Sequence, residues 1–424
     1  MTLSRNTIFF SIVVLMLFVL NVIFTHNSLT APYPGHNDFL SRWEAARSYW
    51  VDGLNPYGAE ASQNIQQSIY GRTATDTEDP GFFAYPFYTV FLLLPLVFTN
   101  YAWASAIWMV LLEVCLIVSL ILIINHFNWR PSLFLLGALM VWTVISYFPA
   151  RGLILGQPGL LIYLLEVFAI WALAHKNDRW AGITLAVSTI KPQMGYLIVP
   201  FLMLWALRER RWNFFGSFVA TFAVLIAASF ALQPSWMTDW LAQVSIYTSY
   251  TQIGGPAWVI SNWLWMSINP RTGIWEVVGG YGHWIELLIS GSLYAYLGWL
   301  WYQVLWLRKQ ERFMWTVVMT LTITHLVAPR TASPHFVVFI IPMLFYFRHL
   351  IQQYGEGRGT IYSLVVLAIL FIQGWLHFLF TVEGEFEHPT IYLPIPILVF
   401  LLLILTRQLW WHDKLDRFRQ ITNT

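Results

Sequence analysis

A carboxylate and a guanidinium stand one helical turn apart in the segment HNDFLSRWEAARSYWVDGLNPY, residues 36–57. Asp38 and Arg42 have the spacing i, i+4, so on a helix they share one face. A carboxylate placed there can act as a general base that takes a proton from an attacking hydroxyl. It can equally cap the helix or pair with Arg42. The residue types alone leave these alternatives open.

Charged residues also interrupt the apolar runs. Lys191 lies in LAVSTIKPQMGYLIVP, and a lysine at the centre of a membrane helix costs about 2.5–3.5 kcal/mol to insert. Such residues usually face a polar cavity and serve a function, although a lysine near a helix end can snorkel to the interface. Glu113 and Glu166 are further acidic candidates, and either is a candidate counter-ion.

A cationic junction occurs in THLVAPRTASPHFVVF, residues 324–339, where His325, Arg330 and His335 surround two prolines. The planar donor fork of arginine suits phosphate, so the junction predicts an anion site. The alternative is an interfacial loop with incidental polar residues.

Three uncharged polar residues lie beside turn signals: Tyr85 in GFFAYPFYTVFLLLPL, Gln157 in ARGLILGQPGLL and Asn262 in GGPAWVISNWLW. Gln157 can hydrogen-bond a sugar or a lipid headgroup, and Asn262 is a candidate polar contact. Tyr85 also fits the aromatic belt of a membrane interface, and Gln157 also fits a plain interhelical turn. The sequence contains no HExxH pattern and no nucleotide-binding glycine motif.

The elements that position these residues are predicted to be membrane helices. Hydrophobic residues make up 58% of the 424-residue chain and charged residues only 10%, whereas soluble proteins carry about 25%. The single cysteine, Cys115, excludes a disulfide framework and a cysteine metal cluster. Apolar runs of about 20 residues recur, and backbone groups in lipid must be satisfied within helices. We predict an all-α polytopic protein with about twelve spans. They lie near residues 8–25, 82–98, 104–125, 131–149, 158–174, 181–206, 213–232, 284–306, 313–328, 335–350, 361–380 and 390–409.

Basic loops set the predicted orientation, because Lys and Arg concentrate on the cytoplasmic side. The basic loops are 207–212, 308–312, 348–358 and 411–419, and the acidic or neutral loops are 26–81, 233–258, 270–283 and 381–389. Both termini are therefore predicted in the cytoplasm and the large loops outside. The run 181–206 is either one helix or two short helices hinged at Lys191-Pro192, since proline removes a helix hydrogen bond.

The first outer loop is predicted to begin with an amphipathic helix. Phe39, Trp43, Ala46 and Trp50 recur at helical spacing and form one apolar face. Asn37 is the predicted cap, and Gly53, Asn55 and Pro56 end the helix. Such a helix would lie along the membrane surface with its aromatic side down.

The order of these segments resembles glycosyltransferase family 87, the polyprenyl-phosphate-mannose-dependent α-mannosyltransferases of the C-type superfamily. The segments that carry the resemblance are DFLSRWEAARSYWVDGLNPY, FAYPFYTVFLLLPL, LGQPGLL, AGITLAVSTIKPQMGYLIVPFLMLWALRERRW and SPHFVVFIIP. The similarity is best over residues 36–215 and returns near 325–345. YPF stands where the family usually has YPP, and GQPG where it usually has GQxN; the second departure bears on the role of Gln157.

The resemblance implies a C-type architecture with outer-face amphipathic helices. A shared catalytic membrane module corresponds to residues 1–232, including the first outer loop 26–81, and variable helices correspond to 233–424. The implied reaction is inverting transfer of a hexose, with mannose as the expected sugar, from a polyprenyl-phosphate donor to the hydroxyl of a glycolipid or glycan. It would take place at the outer face of the plasma membrane.

The resemblance also implies roles for the residues. Asp38 matches the position of the catalytic carboxylate. The departing phosphate requires cations, for which the candidates are Lys191, Arg330, His335 and Arg42. The candidates for sugar or acceptor binding are Gln157, Asn262 and Tyr85. We expect neither a metal nor a cofactor beyond the lipid-linked donor, and no nucleic-acid partner.

A transporter or lipid flippase is the alternative hypothesis, with Lys191 and Glu166 lining a substrate path. Transporters often show paired broken helices in two related halves, and this sequence has one candidate break without a matching half. A structural membrane scaffold is a third hypothesis, which the long outer loop with its carboxylate disfavours.

Overall fold

The computed structural model of the protein describes residues 5–33, 37–75, 78, 80–250, 254–268, 281–328, 331–382, 387–413 and 418. Within these residues the secondary structure is helical and includes no β-strand, which confirms the predicted all-α class. In chain order the helices are α1 (Arg5–Thr25), α2 (Asp38–Trp50), α3 (Ala59–Tyr70), α4 (Thr89–Leu93), α5 (Tyr101–His126), α6 (Leu133–Ile145), α7 (Tyr147–Ile154), α8 (Gly159–Ala174), α9 (Asp178–Ser188), α10 (Pro192–Gly195), α11 (Ile198–Arg208), α12 (Trp212–Leu232), α13 (Trp236–Tyr250), α14 (Pro256–Ile268), α15 (Tyr281–Leu305), α16 (Phe313–Val327), α17 (Ile340–Thr381), α18 (Pro394–Leu405) and α19 (Arg407–Trp411). Short 3-10 helices span Gln310–Arg312, Ser333–Phe339 and Pro389–Tyr392, and a π-helical turn spans His26–Thr30.

The chain divides into two compact units. The first unit comprises Met1–Cys115, Leu153–Pro158 and Ile226–Tyr250, and the second comprises Leu116–Gly152, Gly159–Leu225 and Thr251–Thr424. The division into a catalytic module, residues 1–232, and a variable module, residues 233–424, concerns function and stays a prediction.

Membrane-capable helices are present in the described part of the chain. Four are long and apolar enough to cross a bilayer: Phe9–Thr30, Tyr101–His126, Trp212–Leu232 and Ser333–Thr381. The pair α6 and α7 is bent by 49° and makes a fifth if it is one span. These helices are consistent with a polytopic membrane protein, while twelve spans and the C-type architecture stay predictions.

The longest of these segments covers two predicted spans, 335–350 and 361–380. A straight helix of its 49 residues would extend about 73 Å, more than twice the thickness of a hydrocarbon core. The backbone leaves helical geometry at Gly355, where φ is 80° and ψ is 165°. Glycine adopts such a positive φ readily. Gly355 lies in the predicted cytoplasmic loop between the two spans.

In the first unit, α2 has the predicted amphipathic form. Its face of Phe39, Trp43 and Ala46 is buried, and Trp50 is partly buried. The predicted helix at 82–98 is largely missing, because only the five residues of α4 are helical and turns follow them. Pro95 has no backbone N–H and interrupts the helical ladder there.

In the second unit, the predicted run 181–206 is interrupted at Lys191-Pro192, as the second of the two alternatives predicted, but it divides into three helices, α9, α10 and α11, and not into two. α9 ends at Ser188, and the backbone N–H of Lys191 bonds to the Ser188 carbonyl at 3.3 Å before α10 begins at Pro192. Every residue of α16 is buried, so this helix runs through the core of the second unit. It ends two residues after His325.

Candidate active site

Asn37 caps α2 and so leaves the carboxylate of Asp38 available for other contacts. The Asn37 side-chain oxygen accepts the backbone N–H of Phe39 at 3.1 Å and the hydroxyl of Tyr101 at 2.5 Å. The predicted cap is confirmed. Capping, one of the two structural alternatives for Asp38, is thus performed by its neighbour.

The turn after α7 is bound to the beginning of α2 by hydrogen bonds and close packing. The Asn37 amide donates to the carbonyl of Ile154 at 3.2 Å, and the Trp108 indole donates to the carbonyl of Gly156 at 2.8 Å. Gly156 has a φ of +61°, and a Cβ added to it would lie 2.6 Å from the Cβ of Phe39. Only glycine meets both demands, the left-handed backbone and the close approach.

Gln157, the next residue, contacts Asp38 directly. Its Nε2 donates to Asp38 Oδ2. Gln157 is 5% exposed, whereas Asp38 is partly exposed. A buried amide therefore holds one carboxylate oxygen in place, and the residue that carries this carboxylate stays accessible.

Arg42 contacts the backbone of Asp38 and the side chain of Tyr85. Its Nη1 donates to the backbone carbonyl of Asp38, and its Nη2 donates to the Tyr85 hydroxyl at 2.8 Å. The guanidinium carbon is 4.6 Å from the centroid of the Tyr85 ring, within cation–π distance. Asp38, Arg42, Tyr85 and Gln157 therefore form one cluster in the first unit.

Tyr57 supports this cluster from behind. Its hydroxyl donates to the carbonyl of Tyr85 at 2.7 Å. Burial, with a smaller contribution from the carboxylate of Asp239, raises the pKa of Tyr57, so the phenol keeps its proton and remains a donor. The backbone of Tyr85 is thus fixed independently of its contact with Arg42.

A second group of predicted residues lies in the second unit. Lys191 is 2% exposed, and its charge acts on the buried His325. The rings of His325 and His335 are 5.8 Å apart. His335 packs against Gly159, where an added Cβ would lie 2.9 Å from its Cδ2. Lys191, His325 and His335 are thus all buried in the second unit, and the two histidine rings are neighbours.

Asn262 and Arg330 complete the predicted set. Asn262 lies in α14 of the second unit, is 2% exposed, and neither atom of its amide has a hydrogen-bond partner among the described residues. A buried amide without partners is costly unless a ligand or water satisfies it. Arg330 lies outside the described residues.

Comparison with known protein families decides the class of the protein. The profile of Glycosyltransferase family 87 matches residues 83–329, which is more than half of the chain. The chain belongs to glycosyltransferase family 87. The matched segment includes Tyr85, Gln157, Lys191 and Asn262 and begins after Asp38. Comparisons with curated proteins and with solved structures gave no significant match.

Membership of family 87 supports a membrane glycosyltransferase and does not favour the transporter alternative. The two acidic residues considered for the membrane interior differ in their surroundings. Glu113 accepts a hydrogen bond from the Asn21 amide at 2.7 Å. Glu166 is 1% exposed, and neither of its oxygens has a hydrogen-bond partner in the described part of the chain.

From the sequence we predict transfer without a metal ion. The described residues contain no group of three or more His, Cys, Asp or Glu side chains that could hold a metal ion. Metal independence stays a prediction.

Sequence reasoning missed a buried carboxylate of this glycosyltransferase. Glu387, 5% exposed in the second unit, belongs to the predicted outer loop 381–389 but received no role. The side chains that donate hydrogen bonds to it are Tyr147, Arg151, Ser333 and Tyr392. The acidic run VEGEFEH is visible in the sequence, but its partners are distant along the chain.

Proposed function

We propose that this family 87 glycosyltransferase moves a hexose, with mannose as the expected sugar, from a polyprenyl-phosphate donor to an acceptor hydroxyl. The transfer inverts the anomeric centre and takes place at the outer face of the plasma membrane. The observation that carries the proposal is the carboxylate of the partly exposed Asp38, held by the buried amide of Gln157 at a turn that packs on α2.

Asp38 acts as the general base in this scheme. Gln157 occupies Oδ2, and we assign Oδ1 to take the proton of the acceptor hydroxyl as its oxygen attacks the anomeric carbon. The new bond forms on the face opposite to the breaking bond between that carbon and the phosphate oxygen. The electron pair of the broken bond leaves with the polyprenyl phosphate.

The departing phosphate gains negative charge and needs cations where that charge develops. We assign this role to Lys191 and Arg330 as cations, with His335 as a hydrogen-bond donor to the phosphate and Arg42 as a further candidate. Lys191 is almost fully buried, and a charge interacts more strongly in such low-dielectric surroundings than in water.

Polar groups without charge are assigned to the sugar and the acceptor. Tyr85 and Gln157 belong to the Asp38 cluster, and the amide of Asn262 has donor and acceptor atoms that no described residue satisfies. Hydroxyl groups of a sugar are both donors and acceptors and would satisfy such an amide.

The decisive variant is Asp38→Asn, with Asp52→Asn as its matched control. Asp52 is another carboxylate of the same loop, but it pairs with Arg47 at 3.3 Å and lies outside the cluster. Since general-base catalysis contributes about 10²- to 10⁴-fold, Asp38→Asn should reduce transfer by that factor and keep its affinity for donor. Asp52→Asn should transfer at the wild-type rate.

The assay is transfer of label from polyprenyl-phosphate [¹⁴C]mannose to membrane glycolipid in proteoliposomes. The anomeric configuration of the product is read by NMR. Polyprenyl-phosphate glucose and GDP-mannose tested in parallel identify the donor class. If Asp38→Asn transfers at the wild-type rate, the assigned base is wrong, and label that crosses the bilayer without a new glycosidic bond would instead support a transporter.

A further inference from the structure

The buried carboxylate of Glu387 joins three segments of the second unit that are far apart in sequence. Its Oε1 accepts the Tyr147 hydroxyl at 2.5 Å, the Ser333 hydroxyl at 2.6 Å and the Arg151 Nε at 3.1 Å. Its Oε2 accepts the Tyr392 hydroxyl at 3.1 Å. Tyr147 and Arg151 belong to α7, Ser333 begins one 3-10 helix, and Tyr392 ends another.

Side chains of the second unit supply several donors to this carboxylate. An ionised carboxylate has about four acceptor positions, and four protein donors reach Glu387. The guanidinium of Arg151 forms an ion pair with it. The carboxylate thus connects the three segments through four side-chain donors, three of them on Oε1 and one on Oε2.

One of the three segments carries His335. Ser333 and His335 lie in the same 3-10 helix, Ser333–Phe339. Ser333 is held twice, because its hydroxyl donates to Glu387 and its backbone N–H donates to the Tyr392 hydroxyl at 3.3 Å. The position of the first residue of this helix therefore depends on the carboxylate.

The orientation of the His335 ring follows from the same backbone. The N–H of Ala332, directly before Ser333, donates to His335 Nδ1 at 3.2 Å. Because a backbone N–H can only donate, Nδ1 is the acceptor and the proton of the neutral ring lies on Nε2. Nε2 is on the side of Gly159, 3.4 Å from the position of an added Cβ.

The α7 side of the arrangement is fixed independently of Glu387. The Tyr147 ring packs on Trp375 and Phe378, with centroids 5.4 and 5.3 Å away. A Cβ added to Gly374 would lie 2.8 Å from the Cβ of Tyr147, so the backbone of α17 approaches this residue closely. Loss of the carboxylate would therefore remove the side-chain bond that holds Ser333 and leave α7 packed.

We propose that Glu387 is a positioning residue for sugar transfer. It fixes the beginning of the Ser333–Phe339 helix so that His335 presents a single tautomer and a single direction to the donor phosphate. This inference rests on the proposed function, in which His335 binds that phosphate.

The test is a double-mutant cycle between Glu387 and His335, measured as kcat and KM for the lipid-linked sugar. A displacement of about 1 Å at a binding group can cost about 100-fold, so we expect Glu387→Ala to lower kcat/KM by about 10- to 100-fold. His335→Ala should lower it at least as much. If Glu387 acts through His335, the double variant should be no worse than His335→Ala alone, because residues in one network are not additive.

Two further variants keep the result interpretable. Ser333→Ala removes only the hydroxyl that links the carboxylate to the His335 helix, and it should reproduce the loss if Glu387→Ala does not fold. Arg348→Ala breaks a buried ion pair elsewhere in the second unit. It should leave kcat/KM per folded molecule unchanged, both in the wild-type background and in that of His335→Ala.

The outcomes separate this inference from the proposed function. Multiplicative effects of Glu387→Ala and His335→Ala, or a wild-type rate for His335→Ala, would overturn the positioning role even if Asp38→Asn reduces transfer as expected. Transfer at the wild-type rate by Asp38→Asn would overturn the catalytic assignment whatever the cycle shows.

Discussion

Gly156→Ala tests whether the docked turn positions Gln157 against Asp38. The substitution adds one methyl group at a residue with a φ of +61°, 2.6 Å from the Cβ of Phe39. Phe39 cannot yield by rotating a flexible end, because the contact is with its Cβ. Either the turn or the beginning of α2 must move.

The structure sets the size of the effect. A left-handed conformation costs an alanine about 1–2 kcal/mol, and overpacking costs about 1–3 kcal/mol. We therefore expect the free energy of unfolding to fall by about 2–5 kcal/mol. To reach an ordinary contact of 3.4 Å, the turn must shift by about 0.8 Å. Because Gln157 follows directly, transfer should fall by about 10- to 100-fold.

Gly71→Ala is the matched control. Gly71 lies in the first unit with a φ of +67°, but an added Cβ would meet nothing within 4 Å. It should therefore show only the backbone cost of about 1–2 kcal/mol and transfer sugar at the wild-type rate. Thermal melting in detergent and transfer from polyprenyl-phosphate [¹⁴C]mannose are measured on both variants. Equal melting temperatures and equal rates for the two would refute the argument that Gly156 is required by the packing of the turn on Phe39.

Three further substitutions test other contacts. Trp108→Phe keeps an aromatic ring but leaves the buried carbonyl of Gly156 without its indole donor, which should lower the free energy of unfolding by about 1–3 kcal/mol. An unchanged denaturation midpoint would argue against this bond. Arg348→Ala leaves Asp413 without its guanidinium partner at 2.6 Å and should lower the free energy of unfolding by about 3–5 kcal/mol. The transfer rate per folded molecule should not change, and a slower rate would show that this pair affects more than stability. Burial raises the pKa of Glu44, so the folded state disfavours its charged form, and stability present below pH 4.5 is lost as the pH rises through the folded-state pKa. The melting temperature of Glu44→Gln relative to wild type should accordingly increase between pH 4 and pH 8. A constant difference would show that burial does not raise the pKa of Glu44.

Local features of the fold could be predicted from the sequence because their causes are local. The Asn37 cap and the apolar face of α2 depend on residues within a few turns of one another, and both are confirmed. The break at Lys191-Pro192 was predicted only as an alternative. The sequence shows that proline lacks a donor, but whether neighbours compensate the freed backbone depends on the tertiary structure.

The contacts of the candidate site could not be predicted in the same way. Gln157 and Asp38 are 119 residues apart, and Glu387 and Tyr147 are 240 residues apart. Sequence patterns identify polar residues that must find partners, but with many spans the number of possible pairings is large. The resemblance to family 87 gave a role to Asp38 and none to Glu387, so the second carboxylate was overlooked.

In each unit the candidate residues lie next to a place where the chain is not helical. A helix satisfies its own N–H and C=O groups, whereas a break frees some of them, and in a membrane protein these groups need partners nearby. In the first unit the carbonyl of Gly156 is satisfied by Trp108, and the side chain of the next residue reaches Asp38. In the second unit the N–H of Ala332 is satisfied by His335 itself, which fixes the ring. In both places the hydrogen bond that satisfies the backbone group also helps to orient a polar side chain. Substitutions that remove such a bond should therefore reduce transfer, although they replace none of the proposed catalytic residues.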